Sequence, residues 1–227
     1  MSHIASNLAD IRARITRAAQ KSGRSASDIT LVAVTKTVDD QSIQQALAQG
    51  VQHLGENKVQ ELTSKAARIS QLGHNPTWHM IGRLQTNKAK AAAQTAALIH
   101  SVDSFRLAQE LSRRATAPIN ILMQVNASGE STKAGTNIDS AKAFARDLQK
   151  LPNICLQGLM TIAPAVENPE ENRFFFGIMY KISVDIQRDL DHNRYMLLSM
   201  GMSSDYEVAI EEGSNIVRIG TGIFGER

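Results

Sequence analysis

The chain has 227 residues, 42% of them hydrophobic and 21% charged, with a net charge of +3, one cysteine and only 4% aromatic side chains. That length suits one large domain or two small ones with an ordinary globular core. Scattered cations with few aromatics argue against a nucleic-acid groove, and a lone Cys155 excludes an intramolecular disulfide or a cysteine-based metal cluster within one subunit.

The chain opens with a predicted helix from Ile4 to Lys21, where Ile4, Leu8, Ile11 and Ile15 recur at helical spacing and Gly23 follows as a stop. These first residues lack the charged and apolar regions of a signal peptide. No apolar run approaches the roughly 20 residues that span a bilayer, so a cytoplasmic protein without membrane partners is expected. From Leu31 onward, short apolar runs alternate with segments of helical character. Strands are predicted at Leu31–Thr35, Gln52–Gly55, Trp78–Gly82, Leu98–Val102, Ile119–Val125, Cys155–Thr161, Met196–Met200 and Ile216–Gly220. Helices are predicted between them at Asp39–Gln49, Asn57–Ser70, Asn87–Thr95, Ser104–Ala115, Asp139–Lys150, Glu170–Leu190 and Ser204–Glu212. Pro169 sits where a helix start tolerates it.

Eight strands separated by helices imply parallel pairing with crossover connections. Eight such units over this length match a single-domain (β/α)8 TIM barrel spanning residues 1–227, with one extra amino-terminal helix. An open doubly wound sheet is the rival. It carries its glycine-rich phosphate loop after the first strand, whereas Gly220-Thr221-Gly222 follows the last.

In a barrel, the residues that end the strands face one rim, and there the chemistry collects. Lys36 ends the first strand, where partial desolvation would lower its pKa and free its amine to attack a carbonyl, the alternative being a surface lysine that snorkels from a strand end. Two turns rich in glycine and hydroxyls end the last two strands: Ser199-Met200-Gly201-Met202-Ser203-Ser204-Asp205 and Gly220-Thr221-Gly222. Such turns suit a phosphate, although Ser203 or Ser204 can also cap the helix that follows. Arg218 lies two residues before Gly220 and shares its face of the strand. If that face is inward, the guanidinium needs an acceptor: a ligand's ring nitrogen, a buried glutamate or a backbone carbonyl. Asn57 ends the second strand, free to bond a ligand or to cap the next helix. His79 lies mid-strand, where a satisfied core histidine is the ordinary outcome. Lys133 sits in the polar loop Gly129–Gly135, on the same rim. The six histidines show no metal-ligand spacing.

Several segments occur together in one order: Ala33-Val34-Thr35-Lys36-Thr37, Gly55-Glu56-Asn57-Lys58-Val59-Gln60-Glu61, His79 through Lys88, Gly158-Leu159-Met160, Gly201-Met202-Ser203-Ser204-Asp205, and Gly213 through Gly225. In these the chain resembles the pyridoxal phosphate homeostasis proteins, single-domain relatives of the alanine racemase barrel (fold type III of the pyridoxal phosphate proteins). The resemblance implies pyridoxal 5′-phosphate held as a Schiff base on Lys36, its phosphate at Met202-Ser203 and Gly220-Thr221, and Arg218 facing the pyridine nitrogen. The cofactor-binding set it implies is Lys36, Asn57, His79, Ser199, Met200, Met202, Ser203, Arg218, Gly220 and Thr221. It also implies a carrier or regulator of the vitamin B6 pool, a monomer without established turnover, with enzymes lacking their cofactor as transfer acceptors. Lys133 matches a lysine tied to cofactor handling. Met80 and Gly222 depart from the usual pattern, and neither touches Lys36.

Two alternatives remain. A racemase of alanine racemase-like fold needs a second base opposite Lys36. The phenols of this chain, Tyr180, Tyr195 and Tyr206, fall outside the predicted mouth, and the wall that a second domain supplies is expected to be missing. A cofactor-free lysine-imine aldolase would share the phosphate turns, and the absence of visible colour would distinguish it.

Overall fold

Eight parallel strands close on themselves in the computed structural model, which describes residues 2–130, 133–190 and 196–226. They are β1 Thr30–Val34, β2 His53–Glu56, β3 Thr77–Met80, β4 Leu98–Val102, β5 Ile119–Gln124, β6 Ile154–Met160, β7 Leu197–Ser199 and β8 Ile216–Ile219. Each pairs with the next, and β8 returns to β1 through the register Val32↔Arg218. The predicted barrel is therefore present and the open sheet is excluded. Several strands stop one or two residues short of their predicted ends, because the chain there leaves the ladder to build the rim. Ile81 N–H still donates to the Glu56 carbonyl at 2.9 Å. Gly82 then turns away so closely that a Cβ would stand 2.3 Å from the Asn57 carbonyl oxygen. Only glycine permits that approach.

The helices are α1 His3–Lys21, α2 Asp40–Ala48, α3 Val59–Gln71, α4 Ala89–Thr95, α5 Phe105–Arg114, α6 Ala141–Gln149, α7 Arg173–Asp189, α8 Tyr206–Glu211 and a last turn, α9 Thr221–Phe224. Helix α1 ends as its sequence predicts. Gly23 takes φ of +70°, its N–H reaches the Gln20 carbonyl, and the Arg24 N–H reaches the Ala19 carbonyl, the paired bonds of a Schellman cap. Asn168 caps the short 3-10 turn that carries Pro169 into α7.

Alternation along the strands divides the core in two. Outward-facing residues pack beneath the helices in one continuous cluster, while Val32, Leu98, Leu122, Met160 and Ile216 form a smaller one inside the barrel. The extra helix α1 buries Ile4, Leu8, Ile11 and Ile15 against this body. It packs on α8 and α9, and the Asn7 side chain donates to the Ile223 carbonyl at 3.0 Å. The amino-terminal helix thereby buttresses the glycine turn that ends β8. Among the described residues, no helix is long and apolar enough to cross a membrane.

Candidate functional site

A cavity of about 400 Å³ opens at the carboxyl ends of the strands. Its wall takes Val34 and Lys36 from the end of β1, Asn57 after β2, Ile81, Gly82 and Arg83 after β3, and Gln124, Val125 and Asn126 from β5. Ile162, Met202 and Arg218 complete it from the last three strands, and Lys133 and Ala134 reach over from the β5–α6 loop. Four cationic side chains thus share one cavity, and none of the residues described as lining it is a carboxylate. Such a charge balance attracts an anion. A larger cleft of about 760 Å³ borders α7, α8 and the amino ends of β7 and β8, away from this mouth.

Lys36 is held by a clamp beneath it. Lys65 of α3 is almost wholly buried and donates to the Thr35 carbonyl at 2.5 Å, to Glu56 Oε1 at 2.7 Å and to Glu61 Oε2 at 3.2 Å. The Thr35 hydroxyl donates to the same Glu56 oxygen at 2.6 Å, and Glu61 accepts the Thr37 N–H at 3.2 Å. Thr37 adopts φ of +58°, a left-handed conformation costly for a β-branched residue, so the clamp stabilises a turn that threonine alone would avoid. The Lys36 side chain itself stands exposed at the mouth. The desolvation predicted from its strand position is absent, because burial ends with Thr35.

Arg218 points inward, as its parity with Gly220 predicts, and is 5% exposed. It donates to Ser199 Oγ at 2.6 Å and to the Thr161 carbonyl at 2.9 Å. The acceptors are thus a hydroxyl and a carbonyl rather than a glutamate. Burial lowers its pKa to about 10, Asp205 opposes that shift, and the guanidinium stays charged at neutral pH.

Below Arg218 lies a row that sequence inspection did not assemble. Ser199 Oγ is 2.8 Å from His100 Nδ1, His100 Nε2 is 2.9 Å from His79 Nδ1, and His79 Nε2 is 3.0 Å from His53 Nδ1. The rings meet at steep angles of 72° and 60°, edge toward neighbour rather than stacked. His79 is therefore the satisfied core histidine that its mid-strand position suggests, and it does not line the cavity. Burial lowers the pKa of His79 to about 3, that of His100 well below the ordinary value, and that of the half-buried His53 in the same direction. Unfolding returns these rings to about 6.5, so the unfolded chain binds more protons between the two values and stability falls as pH drops below about 6.5. With His79 and His100 both taking part, the expected loss approaches about 2–3 kcal/mol per pH unit below pH ~5.5. Proton uptake of nearly two per chain on urea unfolding at pH ~5 would check it; uptake near zero would contradict neutral buried rings.

The remaining predicted residues divide by place. Met202 lines the cavity. The Ser203 hydroxyl accepts the Gly222 N–H at 3.3 Å, tying together the turns after β7 and β8, with Gly220 and Thr221 on the second of them; Ser203, Gly220 and Thr221 are not among the residues described as lining the cavity. Neither Ser203 nor Ser204 caps α8: its cap position is Asp205, whose carboxylate instead accepts the Met202 N–H at 2.7 Å and the Asn172 amide at 2.8 Å. Asn57 lines the cavity, and the cap position of α3 passes to Lys58, which makes no side-chain capping bond. Met200 is not on the wall. Strand alternation turns it opposite to Ser199, into the core beneath the helices. Ser199 lies one step below the wall, holding Arg218. Lys133 forms an ion pair with Glu130 at 2.6 Å on a loop pinned by bonds from Gln124 to the Ala134 carbonyl and from Asn126 to the Glu130 carbonyl. The cationic Arg83 and the amide Gln124 were missed, since each follows or ends an apolar run without further signal. Among the described residues, no group of three or more His, Cys, Asp or Glu side chains is placed to hold a metal ion.

Residues 6–227 match the family model described as alanine racemase, N-terminal domain. A Pyridoxal phosphate homeostasis protein from Pseudomonas aeruginosa is 40% identical over 230 residues, covering 100% of this chain and 97% of that relative. The chain belongs to the pyridoxal phosphate homeostasis protein family. The solved structure of PipY from Synechococcus elongatus with PLP bound is 34% identical to this chain, with a TM-score of 0.85 over 98% of this chain and 100% of that one. The barrel extends beyond it. Alanine racemase from Corynebacterium glutamicum shares the fold at 14% identity, with a TM-score of 0.70 over 99% of this chain and 61% of that one.

Proposed function

We propose that this chain binds pyridoxal 5′-phosphate in the cavity under Lys36 and serves as a carrier of the vitamin within the cell. One observation carries the reading: Lys36 and Arg218 share a cavity of about 400 Å³ with Arg83 and Lys133, the last paired with Glu130, and none of the described residues that line it is a carboxylate. The volume lies within the range for small-molecule sites. Val34, Ile81, Val125, Ile162 and Met202 offer apolar surface for the faces of an aromatic ring. The donors present suit a dianionic phosphate and a ring nitrogen. When bound, the group supplies an aldehyde that a primary amine can capture.

The chain's own residues then have distinct tasks. Lys36 presents the amine from a turn fixed by Lys65, Glu56 and Glu61. Arg218 is held as a donor toward the ring nitrogen, which disfavours protonation there and weakens the ring as an electron sink. Ser203, Gly220 and Thr221 form the turns for the phosphate. Lys133, on a loop over the same cavity, is placed to take part in transfer to acceptor enzymes. We place the protein in the cytoplasm as a monomer, in keeping with the unpaired Cys155.

A racemase is less well supported. Tyr206 is buried on α8 beneath the Arg14 guanidinium, with burial raising its pKa to about 12, and Tyr180 lies on α7 beside the other cleft. Tyr195 lies outside the described residues. Thr221→Ala is expected to weaken retention of pyridoxal 5′-phosphate about tenfold and of pyridoxal hardly at all, since one hydrogen bond to a charged group contributes about 1.5–3 kcal/mol. Equal losses for both ligands, measured by equilibrium dialysis, would remove the phosphate from Thr221.

A further inference from the structure

We propose that His100, His79 and His53 are positioning residues for Arg218, forming a one-way hydrogen-bond row that makes Ser199 an acceptor toward the guanidinium. The inference rests on the cofactor reading above and adds three residues to that site.

Its logic begins at Arg218. A guanidinium can only donate, so Ser199 Oγ accepts at 2.6 Å. The single hydroxyl hydrogen of Ser199 then points to the other atom in reach, His100 Nδ1 at 2.8 Å. That nitrogen must be bare, which places the hydrogen of the neutral ring on Nε2, where it donates to His79 Nδ1 at 2.9 Å. The same step repeats from His79 Nε2 to His53 Nδ1 at 3.0 Å. His53 opens β2 and is half-buried, so the row runs from the cavity toward the opposite end of that strand. The reverse direction would bring two donors, Arg218 and His100, to one serine oxygen and leave its fully buried hydroxyl hydrogen without an acceptor among the described residues. Buried polar groups are rarely left so.

The consequence is felt at the cavity. Ser199 and the Thr161 carbonyl fix two guanidinium N–H groups, which leaves others directed at the ligand. Without His100 as acceptor, the Ser199 hydroxyl is free to rotate and Arg218 loses its set direction.

Two measurements test this. Nitrogen-15 NMR of the ligand-free protein, with histidine labelled and each ring assigned by single substitution, is expected to show all three rings neutral and protonated at Nε2 at pH ~7. A hydrogen on Nδ1 of His79 or His100, or a doubly protonated ring there, overturns the row. The second compares pyridoxal 5′-phosphate with its 1-deaza analogue, which lacks the ring nitrogen. The unaltered protein is expected to prefer the natural ligand by about tenfold, His100→Leu to lose that preference, and His100→Asn to keep it, because Asn Oδ1 can take the Ser199 hydrogen. An unchanged preference in His100→Leu, or none in the unaltered protein, overturns the role at Arg218 alone. Failure of the unaltered protein to take up pyridoxal 5′-phosphate at all sinks the cofactor reading as well, while the ring protonation pattern is still decided without ligand.

Discussion

Lys36→Ala is expected to abolish the visible absorption that the protein acquires with pyridoxal 5′-phosphate and to end borohydride-dependent attachment of the ligand to the chain. The effect should be complete, because an imine needs a primary amine and alanine supplies none. The surroundings of Lys36 change little in this variant. The turn is held from below by Lys65 and Glu56 through Thr35, and by Glu61 through the Thr37 N–H, none of which requires the Lys36 side chain. The variant should therefore fold normally and still retain phosphate-dependent affinity through Arg218 and the two glycine turns. The informative alternative is Lys133, which lines the same cavity. An undiminished band in Lys36→Ala, still reducible onto the protein, would transfer the attachment to another lysine.

The second large effect concerns the clamp itself. Lys65→Met removes the positive partner of Glu56, a carboxylate with no exposed surface whose Oε2 has no hydrogen-bond partner among the described residues. Leaving one member of a buried pair uncompensated costs about 3–5 kcal/mol, a large part of the roughly 5–15 kcal/mol that a domain has in all. Urea unfolding should show a loss in this range, together with weaker ligand capture, since the Thr35 carbonyl also loses the Lys65 ammonium and keeps the Val38 N–H at 3.0 Å. Replacing both partners, Lys65→Met with Glu56→Leu, should recover much of the loss, because a buried ion pair is often matched by apolar residues of similar volume. A single variant as stable as the unaltered chain would show that water solvates Glu56 in solution.

Much of this molecule is legible from local patterns. The run Leu98–Val102 is predicted and found as β4 with the same ends, and the helical spacing of Ile4, Leu8, Ile11 and Ile15 matches the buried face of α1. Parity along β8 places Arg218 inside. The same parity turns Met200 away from the cavity and into the core beneath the helices. The capping predicted for Ser203 or Ser204 failed because a serine near a helix start has more than one partner in reach, here the Gly222 N–H from a turn nineteen residues away.

The order of residues alone establishes the eight alternating units, the rim on which Lys36 and the glycine turns fall, and the inward face of Arg218. These follow from backbone periodicity, which each segment expresses without its neighbours. Which inward residues touch is set by the closed barrel. His53, His79 and His100 are separated by 26 and 21 positions, and Ser199 lies 99 positions from His100. Strand tilt and closure of the barrel bring such residues together, because curvature directs the inner side chains of many strands into one small interior. Periodicity assigns a face to a residue, and the closed sheet assigns it a partner.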